Sequence, residues 1–277
     1  MTCPVCGSGN PHEAQFCSSC GVPLGSQGTI VPPEASAGKL VARDTPELVR
    51  ETFRVYRTGF RSFLLIALIP QAPLIPLSFF PQADFSAITI LAIAVSLILS
   101  ALAKGAMVCA VSQNYLERPI KVDHCFGRAW ARVLSLVLST GAFVLAIIGA
   151  AVTVIGVPLA IYLAIVWFFA SEAIMIEREG PLTSLWHSRA LVKGRFWNIF
   201  TIGLMFLLIA IAGLVAASTV SIILDAASPA VGNLAYIAVI TALVPIMWIG
   251  ATLAYYDLRI RKDNYTIENL AQEMGEA

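Results

Sequence analysis

Charge is scarce in this sequence. Only 13% of its 277 residues are Asp, Glu, Lys or Arg, while 58% are hydrophobic and the mean hydropathy is +0.80. Soluble domains carry roughly 25% charged residues, so a water-soluble globular fold is excluded and an integral membrane protein is indicated. The net charge of +1 offers no bulk attraction to nucleic acid, and residues 1–24 contain no Lys or Arg to neutralise phosphate. Histidine is limited to His12, His124 and His187. No activated nucleophile, phosphate-cradling loop or catalytic metal cluster stands out, so the chain is not expected to be an enzyme. The first twenty residues also lack the apolar core of a cleavable signal peptide, and the N-terminus is expected to stay on the side where it is made.

Those residues instead hold four of the six cysteines. In "CPVCGSGNPHEAQFCSSCG" two C-x-x-C pairs, Cys3 with Cys6 and Cys17 with Cys20, are each followed by a glycine that permits a tight turn. Four thiolates close a tetrahedral zinc site and leave no position open for catalysis, so one structural Zn2+ is expected, with His12 a loop residue. So short a unit cannot bury a sufficient core without the metal. Thiols used this way suit a reducing compartment, and Cys109 and Cys125 read as a small core residue and a loop thiol. The stretch resembles the short N-terminal zinc ribbons that head many prokaryotic proteins. Without basic residues, the ribbon (1–24) is expected to contact protein rather than nucleic acid. Residues 25–45, rich in Pro, Gly, Ser and Ala, form a flexible linker.

Six apolar runs follow, and crossing the hydrocarbon core takes about 20 residues of helix. Phe63 to Phe80 is interrupted by Pro70, Pro73 and Pro76 and should be kinked or broken. Phe85 to Tyr115 is the second. Val133 to Ile176 is too long for one crossing and splits at Gly156 and Pro158 into a third and fourth. Phe196 to Leu224 and Pro229 to Tyr256 complete the set. Seventeen of the 18 basic residues lie before the first run, between the second and third, between the fourth and fifth, or after the sixth. The alternate connections, near Asp84, Gly156 and Asp225, have none. Under the positive-inside rule this predicts a multi-pass cell-membrane protein with both termini in the cytoplasm. The fold class is therefore an all-α polytopic membrane protein, with the six-helix domain over 46–262 and a cytosolic tail over 263–277.

The basic connections share a pattern. Arg50, Arg54, Arg57 and Arg61 recur at helical steps beside Val49, Phe53, Tyr56 and Phe60. This predicts an amphipathic helix lying in the interface with its guanidiniums at lipid headgroups. "HCFGRAWARVLSLVL" and "SRALVKGRFWNIFTIGL" are weaker copies in which Arg128 and Lys193, with Arg195 beside it, occupy equivalent places. Three units of one interfacial helix and two spans would describe the domain, although cytosolic loops are commonly basic and aromatic without any repeat. Trp130, Trp186, Trp197, Tyr255 and Tyr256 read as aromatic-belt anchors.

"EREGPLTSLWHSRALVKGRFWNIFTIGL" and "LAYYDLRIRKDNYTIENLAQ" resemble the membrane domain attached to some bacterial glycerophosphoryl diester phosphodiesterases, and related stand-alone six-helix membrane proteins. The resemblance covers roughly residues 45 to 270 and implies a multi-pass prokaryotic membrane protein. The catalytic barrel of those enzymes has no counterpart here, so their activity is not carried over.

Lys104 and Glu172 are the full charges well inside the runs, on the second and fourth, at comparable depth. An ionisable group in lipid is costly unless paired or snorkelled, so an intramembrane pair is expected; it could be structural or an ion-coupling site. Small residues four apart, such as Ala146 and Ala150, Gly213 and Ala217, and Gly250 and Ala254, permit close helix approach. The reading that combines these features is a non-catalytic binding, scaffold or regulatory membrane protein, with membrane lipids and a protein as partners. A transporter or channel is the alternative, and an accessory role in lipid or glycerophosphodiester metabolism a third.

Overall fold

The computed structural model describes residues 40–79, 87–153, 156–226 and 228–275, together with Gly9. Cys3, Cys6, Cys17 and Cys20 and the linker up to residue 39 lie outside the described residues. From residue 40 onward every regular element described is helical: α1 (Thr45–Thr58), α2 (Phe60–Leu68), α3 (Ala87–Tyr115), α4 (Val122–Trp130), α5 (Val133–Ala151), α6 (Gly156–Val166), α7 (Ala170–Ile176), α8 (Thr183–Val192), α9 (Phe196–Asp225), α10 (Pro229–Asp263) and α11 (Ile267–Glu273). Helices satisfy their backbone groups internally, which a chain this apolar requires in lipid. Five stretches are long and apolar enough to cross a membrane: α3, α5, α6 with α7, α9 and α10.

The first apolar run forms no sixth helix of that length among the described residues. Prolines at 70, 73 and 76 remove N–H donors and tighten the backbone, so α2 passes into a 3-10 turn at Ile69–Gln71 and a second at Pro76–Phe79. The apolar stretch Phe60–Gln71 rises about 18 Å, short of the roughly 30 Å hydrocarbon core. The break is satisfied from outside: Ser96 on α3 donates its hydroxyl to the Pro70 carbonyl at 2.6 Å. A side-chain hydroxyl taking over a freed carbonyl is how a broken helix is tolerated in lipid.

The other hairpin falls at Gly156, where α5 turns into α6 and the backbone N–H donates to Thr153 Oγ1 at 3.0 Å. A Cβ there would meet the Ala150 carbonyl oxygen at 1.9 Å, so glycine alone fits. Helices α9 and α10 make the most extensive helix pair, and Gly250 lets the Phe206 ring lie where a Cβ would be 2.1 Å from its Cζ. Ala217 and Ala254 are fully buried, so these small residues serve packing within the chain. Pro245 lies inside α10, and Tyr56 from α1 donates to the nearby Ala242 carbonyl at 2.8 Å.

Burial is concentrated at one end. On α3, residues 101–113 are almost all buried, whereas Ile88, Ile90, Leu91, Leu97 and Ile98 are exposed. Helix α10, about 52 Å long at 1.5 Å per residue, exceeds the bilayer core, and its last turns, Ile249 to Leu258, are buried, Gly250 against Phe206 on α9 and Tyr256 against Ser112 and Tyr115 on α3.

Candidate functional site

The basic segments of the sequence meet at this buried end. The backbone N–H of Arg43 donates to Asp257 Oδ1 at 2.8 Å, and Arg261 reaches back to the Arg43 carbonyl at 2.9 Å. Lys262 donates to the carbonyls of Ala190 and Lys193 at 2.7 and 2.9 Å. Arg128 donates to the carbonyls of Glu273 and Met274. All four basic connections thus assemble around the C-terminal turns of α10 and the helix α11. In each of the first three a short helix (α1, α4 or α8) stops at Gly59, at Ala131 and Arg132, or at residues 193–195, just before the next apolar helix begins.

Two ion networks hold this end. In the first, Glu51 on the buried face of α1 receives Arg54 at 2.5 and 2.7 Å and Tyr115 at 2.7 Å, with Arg43 at 3.4 Å. Burial pushes its carboxyl up, but the bonds from Arg54 and Tyr115 and the charges of Arg43 and Arg54 outweigh that and leave it below its ordinary value. In the second, Glu177 is contacted by Tyr255, Arg259 and, at 3.0 Å, His187 Nε2. These partners outweigh burial and lower the Glu177 carboxyl; Glu177 in turn raises His187 against its own burial. Arg259 also pairs with Glu273 at 3.3 Å and stacks 4.5 Å over the Tyr265 ring.

These networks sort the expected headgroup residues. Arg54 is occupied by Glu51 and Arg128 by the carbonyls before the C-terminus, whereas Arg50, Arg57, Arg61 and Lys193 are exposed and Arg195 is half-exposed. The buried face of α1 runs through Leu48, Glu51, Thr52, Val55 and Tyr56, so the expected apolar stripe is divided: Tyr56 is in the core, while Phe53 and Phe60 remain exposed beside the arginines. The two belt tyrosines are corrected outright. Tyr255 and Tyr256 are core residues: Tyr255 packs on Phe169 and bonds Glu177, and Tyr256 bonds Ser112 on α3 at 2.7 Å and meets the Tyr115 and Tyr265 rings. Trp130, Trp186 and Trp197 are each about two-thirds or more exposed.

Two exposed cations, Arg189 and Lys193, share one cleft. Tyr162, Val166, Trp186, Arg189, Ala190, Val192, Lys193, Gly194 and Phe196 line an open recess of about 560 Å³ between α6, α8 and the start of α9. Tyr162 and Phe196 stack at 5.8 Å, and the Arg189 guanidinium lies 5.6 Å from the Trp186 ring. Gly194, at φ +87°, makes the turn that leads into α9. Such a site can hold an anionic group over aromatic rings at membrane-interface depth.

No known family, curated protein or solved structure matches this chain.

Deeper along the helices, Lys104 Nζ lies 3.7 Å from Glu172 Oε2 and 5.9 Å from the Phe168 ring. Glu172 is fully buried and neither carboxylate oxygen has a hydrogen-bond partner. Sequence reasoning did not single out Arg189, His187 or Glu177 as site residues. Each lies among other polar residues of its segment, and only tertiary contact with α6 or α10 gives it a role.

Proposed function

We propose that this chain is a non-catalytic multi-pass membrane protein that binds anionic lipid headgroups at its basic end and presents a tethered zinc ribbon to a protein partner. The observation that carries this reading is the cleft of Arg189, Lys193, Trp186, Tyr162 and Phe196: two cations with no carboxylate partner among the described residues, set against aromatic rings. Arg50, Arg57 and Arg61 extend the cationic face along α1. Each such residue near an anionic surface contributes about 1 kcal/mol.

In this reading the basic end is cytosolic, as the positive-inside rule demands, and so are both termini. The segment from Phe60 to Phe79 forms a sixth, broken crossing, its interruption satisfied by Ser96. Cys3, Cys6, Cys17 and Cys20 hold one structural Zn2+, and the ribbon, lacking Lys and Arg, meets protein.

The test is native mass spectrometry and thermal melting of the full chain in neutral detergent with added phosphatidylglycerol or phosphatidylcholine. Phosphatidylglycerol should be retained and stabilising, with Arg189→Ala/Lys193→Ala weakening retention several-fold. Equal retention of both lipids, or no effect of the double substitution, would refute the assignment.

A second reading, a transporter using Lys104 and Glu172, is favoured by the unpartnered buried carboxylate. Ion or solute flux in proteoliposomes that is abolished by Glu172→Gln would establish it. The accessory role in lipid metabolism rests on the resemblance to phosphodiesterase membrane domains alone.

A further inference from the structure

The two cysteines outside the N-terminal stretch are not solitary. Cys109 on α3 and Cys125 on α4 are both fully buried, and their sulfurs and an imidazole nitrogen of His124 all lie within 4.8 Å of one another. We infer that Cys109, Cys125 and His124 form a second zinc site, distinct from the N-terminal ribbon, which staples the interfacial helix α4 to α3.

The donor set fits the ion. Zinc takes thiolate sulfur at about 2.3 Å and imidazole nitrogen at about 2.0 Å, so tetrahedral neighbours stand roughly 3.5–3.8 Å apart. The observed spread needs only a small closure to reach that geometry. Binding displaces one proton from each thiol to water and leaves a unit of Zn2+, two thiolates and a neutral imidazole with no net charge. That neutrality suits the two buried sulfurs, since an isolated charge there would be expensive. His124 is exposed, so the ion has a way in from water.

Gln113 acts as a positioning residue. It sits on α3 one turn from Cys109 and is 5% exposed. Its Oε1 accepts from the Lys121 backbone N–H at 3.0 Å and from the Cys125 thiol at 3.5 Å, and its Nε2 lies 3.1 Å from His124 Nδ1. One side-chain amide therefore holds both α4 ligands against α3. The Cys125 thiol gives up its proton when zinc binds, so in the loaded site Gln113 holds α4 through the Lys121 N–H.

The sequence conceals this site because Cys109 and Cys125 are sixteen positions apart, on opposite sides of the turn that ends α3. Cys125 is adjacent to His124 in the chain, but no C-x-x-C or H-x-x-x-H spacing marks them.

The experiment uses the full-length protein in detergent, with Cys3, Cys6, Cys17 and Cys20 changed to Ser so that ribbon thiols do not contribute. After equilibration with zinc and desalting, metal content is measured by mass spectrometry; Co2+ is then used as an optical probe. One equivalent of zinc should be retained, and Co2+ should give a thiolate charge-transfer band. Cys109→Ser or Cys125→Ser should abolish both signals, and His124→Ala should weaken zinc at least tenfold. Gln113→Leu should weaken zinc and also lower the melting of the zinc-free protein, since the Lys121 N–H loses its acceptor, whereas Gln113→Glu, which keeps an acceptor oxygen, should restore zinc retention. Asp123→Ala, beside the site, should leave zinc content unchanged. If the four-serine protein does not fold, the wild-type chain is compared with Cys109→Ser/Cys125→Ser, where the zinc content should fall by one equivalent. Zinc content that is unchanged on removing Cys109 and Cys125, in either background, overturns the site.

Discussion

Replacing Lys104 by Met should destabilise the protein by about 3 kcal/mol, while replacing Lys104 and Glu172 together by Met and Leu should leave it within about 1 kcal/mol of wild type. Coulomb's law at the observed 3.7 Å and an effective dielectric near 20 gives an attraction of about 4.5 kcal/mol. Removing one partner of a buried pair typically costs 3–5 kcal/mol, because the other charge is left uncompensated, whereas removing both is often neutral. Glu172 is the vulnerable member: it is fully buried and neither oxygen has a hydrogen-bond donor, so nothing replaces the lysine. Lys104 has 24% of its side chain exposed and can extend toward the interface, so Glu172→Leu alone should cost less than Lys104→Met. Competing partners in the unfolded membrane-inserted state reduce the full Coulomb value, which is why the expectation is nearer 3 than 4.5. The assay is a double-substitution cycle by equilibrium unfolding in mixed detergent micelles, followed by two independent probes. A Lys104→Met cost below about 0.5 kcal/mol, or a double variant whose loss equals the sum of the singles, would refute a charged pair.

Three further outcomes are expected. Gly250→Leu should push the Phe206 ring out of its seat against α10 and destabilise by about 1–3 kcal/mol in the same unfolding assay, with Gly203→Leu, where a Cβ meets nothing within 4 Å, as the unaffected control. Tyr56→Phe should cost about 1 kcal/mol, because the Ala242 carbonyl near Pro245 loses its donor, and a helix-resolved hydrogen-exchange measurement should show faster exchange around Pro245. Melting temperature should depend on pH through the Glu177 and His187 contact. Glu177 is held below its ordinary 4.5, so its contribution is present above pH 4.5 and lost on acidification through its lowered value; His187 is raised above 6.5, so its contribution is full below pH 6.5 and lost as pH rises through its raised value. His187→Gln should remove the alkaline decline, and an unchanged slope in that variant would show that His187 does not supply it.

Periodicity and charge carried most of the architecture because both are imposed locally by lipid. A helix must be apolar for its full crossing length, and loops on one side collect Lys and Arg, so α3, α5, α6 with α7, α9 and α10 were visible as runs before any contact was known. The first run was legible only as a disturbance. Three prolines at three-residue steps announced a break, but not that Ser96 would take up the Pro70 carbonyl.

The basic end was less legible, because its order comes from residues far apart in the chain. Arg54 and Arg57 look equivalent on a helical stripe, yet one faces Glu51 and is occupied while the other is exposed. Tyr255 and Tyr256 look like belt residues until Phe169, Ser112, Tyr115 and Tyr265 are seen to pack against them. Cys109 and Cys125 looked unrelated for the same reason.

The distribution of burial gives the basic end its meaning. If the chain were a simple bundle, packing would be uniform along the helices; instead α3 is exposed toward its start and buried toward its end, and α10, longer than a bilayer core, has its last turns buried. Five acidic side chains, Glu51, Glu177, Asp257, Asp263 and Glu273, neutralise the cations that fall inside this enclosure. Arg50, Arg57, Arg61, Arg189 and Lys193 lie outside it and have no such carboxylate among the described residues. Internal charges are thus matched by the protein, and the outward ones are left for something the protein does not supply. With Trp186 exposed beside Arg189 at the edge of an apolar surface, the partner we propose for both the charge and the ring is the phosphate layer of an anionic membrane.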